Sequence, residues 1–133
     1  MKIGIIGAGE IGATLTRHYT KAGHKVKIAN ASGIEKLRSI AGETGALPVG
    51  VSDVVTDVDV IVISIPYFAV GNLPKRLFDR VSLHIPVIDT CNYYPIVSGL
   101  IQEVEEGMNE SEWVSRQIER PVVKAYNSIF YHS

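Results

Sequence analysis

The glycine-rich segment near the start of the chain limits the possible folds more than any other feature. A short apolar run, Lys2–Ile6, is followed by glycines at positions 7, 9 and 12, and a helical pattern begins at once. Gly7 would allow a tight turn off a strand, Gly9 a close approach of main-chain N–H groups to a pyrophosphate, and Gly12 close helix–strand packing. The free amides at the helix start favour anionic phosphates. The predicted binding residues are Gly7, Ala8, Gly9, Glu10, Ile11 and Gly12.

Strand and helix patterns alternate along the rest of the chain. The apolar, β-branched run Val60–Ile65 is typical of a central parallel strand buried on both faces. Strands are predicted at Lys2–Ile6, Lys25–Ala29, Ala46–Val49, Val60–Ile65, Ile85–Asp89 and Val122–Ala125. Helices are predicted at Ile11–Ala22, Gly33–Ala41, Ser52–Val58, within Tyr67–Arg80, and from Asn109 or Ser111 to Arg120, with a loop at Thr90–Ser98.

This alternation predicts an α/β fold, a doubly wound parallel sheet of the Rossmann type. Six strands would lie in the order 3-2-1-4-5-6, and residues 1–133 would form one dinucleotide-binding domain with no second domain. In this topology ligands bind at the carboxyl ends of the strands, where the winding reverses between the first and fourth strands. The loops after those strands therefore become the candidate site.

Composition excludes several classes of partner. A net charge of −1 gives no reason to expect nucleic acid or a membrane surface as a partner. A single cysteine, Cys91, permits no intrachain disulfide and predicts a reducing, cytoplasmic location. The four histidines lack metal-ligand spacing, so no metal site is predicted.

The loop after the second predicted strand bears on the choice of cofactor. NAD-selective sheets place an acidic side chain there to bind the ribose 2′-OH, and such a carboxylate would repel a 2′-phosphate. This chain instead has the neutral residues Asn30, Ala31 and Ser32, with Lys36 and Arg38 close behind. The loop therefore favours NADP, although Asn30 and Gly33 would also serve simply to shape a turn.

Two further loops carry candidate residues. Ile65, Pro66 and Tyr67 follow the central strand and would border the nicotinamide; for Tyr67 this role and a core role are equally supported, whereas Phe68 is predicted to be core. After the fifth strand, Asp89 is interpreted as a turn-forming carboxylate. Cys91 is interpreted as a small buried thiol, since it has no neighbouring His or Cys to activate it.

Six segments together resemble the deazaflavin (coenzyme F420)-dependent NADP oxidoreductase family. They are Gly7–Gly12, Ala29–Gly33, Ser64–Tyr67, Asp89–Pro95, Ser111–Trp113 and Val123–Asn127. The resemblance implies hydride transfer between NADPH and a deazaflavin or flavin acceptor, with no catalytic side chain required beyond those that position the two. It also implies that Asn30 and Ser32 face the 2′-phosphate, that Ile65 to Tyr67 border the nicotinamide, and that Asn92 and Asn127 lie towards the acceptor.

This chain also differs in two respects from the family that it resembles. Many relatives carry an arginine where this chain has Ser32, which implies a looser phosphate clamp. Relatives also continue past the sixth strand into a segment that helps to form the acceptor pocket. Three alternatives follow: a partner subunit completes the pocket, the chain is a truncated form, or catalysis is absent. A chain without the usual second domain would also leave apolar surface beside its last strand, which favours a homodimer or a partner subunit.

Three functions are therefore open from the sequence. The first is an NADP-dependent oxidoreductase acting on a deazaflavin or flavin. The second is an NADPH-binding module that senses the cofactor or serves a partner without turnover of its own. The third is a reductase of a small imine or carbonyl compound, which would need an acid near the nicotinamide, with Tyr67 and Tyr93 as the candidate donors.

Overall fold

The computed structural model describes residues 1–128, which form a six-stranded parallel sheet with helical segments on both faces. The strand order is β3-β2-β1-β4-β5-β6, which confirms the predicted order. The strands are β1 Lys2–Ile6, β2 Lys25–Ala29, β3 Leu47–Pro48, β4 Val60–Ile63, β5 Val87–Asp89 and β6 Val123–Lys124.

The helical segments differ greatly in length. The α-helices are α1 Glu10–Lys21, α2 Arg38–Thr44, α3 Val51–Val54, α4 Pro95–Ser98, α5 Gln102–Glu105 and α6 Glu110–Ile118. Two 3-10 segments, Ile34–Leu37 and Tyr67–Asn72, complete the set. No helix in residues 1–128 has the length and apolar character needed to cross a bilayer.

The central strands are apolar because both of their faces are covered. In β4 all four residues are buried, and β1 pairs with β2 on one side and with β4 on the other. Side chains of successive strand residues point to opposite faces. Accordingly Ile61 and Ile63 join the core that includes Trp113 of α6, whereas Val60 and Val62 join the core around Leu15 of α1.

The connection from β4 to β5 differs from the predicted helix. The chain forms one 3-10 segment, Tyr67–Asn72, and then passes through turns around Pro74 instead of an α-helix. Proline at position 74 has no N–H to donate, and Leu73 before it is extended, with ψ of 148°. The apolar residues Val70 and Phe78 still reach the core from this irregular segment.

Several other predicted boundaries change by a few residues. The helix predicted at Ser52–Val58 is the single turn α3, and the helix predicted at Gly33–Ala41 divides into the 3-10 segment and α2. The predicted loop Thr90–Ser98 is correct up to its last four residues, which form α4. The sixth strand is shorter than predicted because only two of its residues pair with β5.

Candidate dinucleotide-binding cleft

A cleft of about 730 Å³ lies at the carboxyl ends of β1, β2, β4 and β5. This is the position at which doubly wound sheets bind ligands. The loops that follow these four strands form most of its walls. The lining residues that were predicted as site residues are Gly7, Ala8, Gly9, Glu10, Ile11, Asn30, Ala31, Ser32, Ile65, Pro66, Tyr67 and Asn92.

The three glycines of the first loop have very different surroundings. Gly7 has φ of +116°, and a Cβ at this position would lie 2.0 Å from the carbonyl oxygen of Ser64. A Cβ on Gly12 would lie 2.1 Å from the carbonyl oxygen of Gly7, so Gly12 does not line the cleft but packs behind it. A Cβ on Gly9 would meet no protein atom within 4 Å. The fold therefore requires glycine at positions 7 and 12, whereas the space beside Gly9 is open.

The start of α1 opens into that space. Gly9 is the N-cap, with φ of −72° and ψ of −165°, and no side chain accepts a hydrogen bond from the first turn. The first amides of a helix have no partner within the helix, so those of Glu10, Ile11 and Gly12 are available to an anion. Glu10 is the only charged side chain that lines the cleft in residues 1–128. A phosphate bound here would depend on main-chain donors and the helix dipole.

The loop after β2 contains a buried polar atom without a partner. Asn30 Oδ1 is buried and makes no hydrogen bond, which is uncommon for a buried side-chain oxygen. Ala31 and Ser32 beside it are exposed and line the cleft. The Nε of Arg38 lies 2.9 Å from Oε2 of Glu35, and neither residue lines the cleft. The polar groups that this loop presents to a ligand are therefore neutral.

The two aromatic residues after β4 both line the cleft, but only Tyr67 is also buried in the core. Tyr67 is only 2% exposed; its ring stacks on Trp113 with centroids 4.8 Å apart, and its hydroxyl donates to the carbonyl oxygen of Glu110 at 2.8 Å. Burial raises the pKa of Tyr67, and the carboxylates of Glu110 and Asp89 add to the shift. The prediction that Phe68 is core is wrong, since it is 44% exposed and lines the cleft. The 3-10 backbone turns Tyr67 inwards and Phe68 outwards.

The loop after β5 is held by its own hydrogen bonds. Asp89 is fully buried, and its Oδ1 accepts from the amide of Cys91 at 2.8 Å, which confirms a turn-forming carboxylate. Thr90 Oγ1 donates to the carbonyl oxygen of Ile63 at 3.0 Å. Cys91 is buried as predicted, and this burial, with the charge of Asp89, raises its pKa to about 12. A thiol with such a pKa remains protonated and is a poor nucleophile at neutral pH.

The two asparagines predicted on the acceptor side lie next to each other. Asn92 Nδ2 donates to the carbonyl oxygen of Asn127 at 3.2 Å. Asn92 lines the cleft, whereas Asn127 does not. Within residues 1–128 no cluster of three potential metal ligands occurs.

Sequence reasoning missed part of the wall beside Asn92. Tyr94, Val97 and Ser98 line the cleft because α4 folds the chain back towards it. Pro95 at the first helical turn was the available signal, since proline is favoured there. Further lining residues that were not predicted are Ile6, Val51, Ser64, Ala69, Asn72, Leu73, Thr90 and Cys91.

The same sequence matches a known family. Residues 2–93 match the family model described as NADP oxidoreductase, coenzyme F420-dependent. This match covers β1 to β5 and every loop of the cleft up to Tyr93. None of the curated proteins matches the chain.

Solved structures with the same fold include longer proteins. A hypothetical protein from Sinorhizobium meliloti is 27% identical to this chain, with a TM-score of 0.80. The match covers 99% of this chain and 64% of that protein. A putative F420-dependent NADP reductase from Arthrobacter sp. FB24 is 18% identical with a TM-score of 0.73 and the same two coverages. An imine reductase from Pseudomonas sp. is 16% identical with a TM-score of 0.61; 92% of this chain covers 40% of it. The chain thus spans less than two thirds of the length of these proteins.

Proposed function

This chain belongs to the coenzyme F420-dependent NADP oxidoreductase family, and from that premise we propose that it binds NADPH in the cleft and supports hydride transfer to a deazaflavin or flavin-like acceptor. The observation that carries the proposal is the open space at Gly9 beside the free amides of α1. Gly7 and Gly12 are explained by close packing against neighbouring main chain, whereas the space around position 9 would also accept a side chain.

The lining residues suit the parts of a dinucleotide in order along the sheet. The pyrophosphate would bind over Gly9 and the first turn of α1. The adenosine ribose and its 2′-phosphate would face Asn30 and Ser32, where the unpartnered Oδ1 of Asn30 could accept from a ribose hydroxyl. The nicotinamide would lie against Ile65 to Tyr67, and the acceptor beside Asn92.

The chain's own contribution to the reaction would be positioning. The bound nicotinamide supplies the hydride and the acceptor receives it, so no proton donor is required at the moment of transfer. Pro66, with φ of −54°, fixes the main chain of the central loop, and the exposed ring of Phe68 offers an apolar surface that excludes water. Holding two rings in reactive contact accounts for a large part of the barrier reduction in such reactions.

A second candidate function is a cofactor-binding module without turnover of its own, serving a partner or a second copy of the chain. One observation favours it: the acceptor side of the cleft is bordered by α4, where Ile96 is fully exposed and Val97 is 72% exposed. Apolar side chains exposed in this way are typical of surfaces that another chain covers. In this case NADPH would bind and hydride transfer would wait for the partner.

Calorimetric titration followed by an acceptor screen separates these functions. NADPH and NADH are titrated into the protein, and NADPH oxidation is then measured with FMN, FAD and a 5-deazaflavin. Binding with catalysed turnover is the expected result. Binding with every acceptor at the uncatalysed rate would leave only the binding module, and absence of binding would end both proposals.

A further inference from the structure

Lys124 of β6 makes contacts that the proposed function does not yet use. Its ammonium group lies 3.4 Å from Oδ2 of Asp89 and 3.9 Å from Oε2 of Glu110, and it also donates to the carbonyl oxygen of Cys91. The Lys124 side chain is 21% exposed, whereas that of Asp89 is fully buried. A lysine in such a place loses hydration and is retained only where its partners compensate for the loss.

These contacts hold the main chain of Cys91 on both sides, through its amide and through its carbonyl. Asp89 Oδ1 accepts from the Cys91 amide, and Lys124 donates to the Cys91 carbonyl. Asp89 and Lys124 are themselves register partners on neighbouring strands. The main chain leading into Asn92, which lines the cleft, is therefore held by an ion pair between β5 and β6.

The third contact of Lys124 reaches the opposite wall. Glu110 is the first residue of α6, and its carbonyl oxygen accepts from the hydroxyl of Tyr67. Tyr67 lines the cleft where the nicotinamide is proposed to lie, and Asn92 lines it where the acceptor is proposed to lie. The Lys124 ammonium group thus lies between Glu110, which is hydrogen-bonded to Tyr67, and the peptide unit that precedes Asn92.

We propose that Lys124 is a positioning residue that sets the loop Thr90–Asn92 against the Tyr67 side of the cleft, and so aligns the acceptor with the nicotinamide. The effect on turnover rests on the proposed function, whereas the effect on the loop does not. Lys124 does not line the cleft, so it acts through Cys91 and Asn92 and not by touching a ligand.

Cys91 provides a readout that needs no activity. It is the only cysteine in the chain, it is buried, and its burial depends on the loop that Lys124 holds. In Lys124→Met we expect the folded protein to react with a disulfide reagent such as DTNB roughly tenfold faster, because the loop opens more often. Lys75→Met is the matched control, since Lys75 is exposed and lies outside the cleft.

The kinetic expectation is a split between the two substrates. With FMN or a 5-deazaflavin as the acceptor, Lys124→Met should lower kcat/KM for the acceptor about tenfold. The Kd for NADPH should change less than about twofold, because the residues proposed to hold the pyrophosphate do not contact Lys124. An equal fold loss in kcat/KM for the acceptor and in the affinity for NADPH would contradict a role confined to the loop.

A double variant separates positioning from the cost of an unpaired buried charge. Asp89→Asn with Lys124→Met removes both charges but keeps an oxygen at position 89 to accept from the Cys91 amide. Thermal stability should recover relative to Lys124→Met, while fast labelling of Cys91 persists because its carbonyl still lacks a donor. Labelling at the wild-type rate in every folded variant would overturn the proposal. Fast labelling in a protein that turns over no acceptor would sustain it while the proposed function fails.

Discussion

At the scale of single residues, glycines that look equivalent in the chain serve different purposes. Gly7 needs a positive φ, Gly12 needs the absence of a Cβ against Gly7, and Gly9 needs neither. Gly9 has ordinary extended dihedral angles that an alanine also adopts. The free protein should therefore tolerate a side chain at position 9, but that side chain should interfere with a bound pyrophosphate.

Gly9→Ala should separate folding from binding. We expect the free energy of unfolding to fall by less than about 1 kcal/mol, since an N-cap accepts glycine somewhat better than alanine. We expect NADPH affinity to fall at least about tenfold, or about 1.4 kcal/mol, because the new methyl group would occupy the space beside the free amides. Chemical denaturation and calorimetric titration measure the two quantities.

Gly12→Ala is the control with the opposite expectation. Its Cβ would lie 2.1 Å from the carbonyl oxygen of Gly7, so α1 must move away from the turn. Overpacking of this kind costs about 1–3 kcal/mol of stability. If Gly9→Ala proved as destabilising as Gly12→Ala, or bound NADPH as tightly as the wild type, the proposed pyrophosphate site at Gly9 would be wrong.

Cys91 should make stability depend on pH in the alkaline range. The folded protein raises its pKa from 9.0 to about 12, so in this range the unfolded chain releases a proton that the folded chain keeps. The stability that this thiol contributes is complete below its unfolded pKa and is lost as pH rises through the interval up to its folded pKa. Between about pH 9 and pH 10 the loss should be about 1 kcal/mol.

The comparison with Cys91→Ala isolates this contribution. Tyr19 and Tyr67 also have raised pKa values and contribute at still higher pH in both proteins. Urea denaturation at a series of pH values should therefore show a steeper decline for the wild type than for Cys91→Ala. Parallel declines would mean that the thiol is not protected by burial.

At the scale of elements, α6 holds Tyr67, a residue that lines the cleft. Its Trp113 stacks on Tyr67, and its first residue accepts from the Tyr67 hydroxyl. Asn109 caps the helix by accepting from the amide of Ser111 at 2.9 Å, which decides between the two predicted caps. A cap on so short a helix bears directly on how firmly Tyr67 is held.

Replacement of the cap should weaken the helix in a graded manner. Asn109→Ala removes the acceptor for the Ser111 amide and should lower the free energy of unfolding by about 1 kcal/mol. Asn109→Asp keeps an acceptor oxygen and should cost far less. Denaturant titration of both variants gives the values, and an equal loss in the two would show that the side-chain acceptor is not what stabilises α6.

At the scale of the whole molecule, ligand binding and folding should be linked. The cleft collects the loops that follow β1, β2, β4 and β5, so a bound dinucleotide would contact four loops of the sheet at once. A ligand that binds only the folded state at 100 times its Kd adds about 2.7 kcal/mol. For a chain of this size the rise in Tm should be on the order of 10 °C with NADPH.

Two controls accompany this measurement. NADH tests whether the neutral loop at Asn30 and Ser32 distinguishes the 2′-phosphate, and a larger rise with NADPH than with NADH is expected. Gly9→Ala should show a smaller rise at the same NADPH concentration, because its affinity is lower. An unchanged Tm in the wild type at saturating NADPH would contradict a dinucleotide site in this cleft.

Some features followed from the chain alone because their causes are local. The spacing of Gly7, Gly9 and Gly12 between a strand and a helix is itself a backbone requirement, so the turn after β1 could be predicted. The apolar run at β4 and the handedness of strand–helix–strand connections then predicted the sheet order and the edge on which the cleft lies.

Only the tertiary structure decided the features that depend on contacts between distant residues. Tyr67 and Phe68 are adjacent aromatics, and which of them is buried depended on where α6 placed Trp113, 46 positions after Tyr67 along the sequence. The pairing of Lys124 with Asp89 required two strands to meet in one register. The entry of α4 into the cleft wall likewise depended on the path of the chain after β5. Local sequence determines backbone geometry and periodicity, whereas the neighbours of a side chain exist only once the separate elements have packed together.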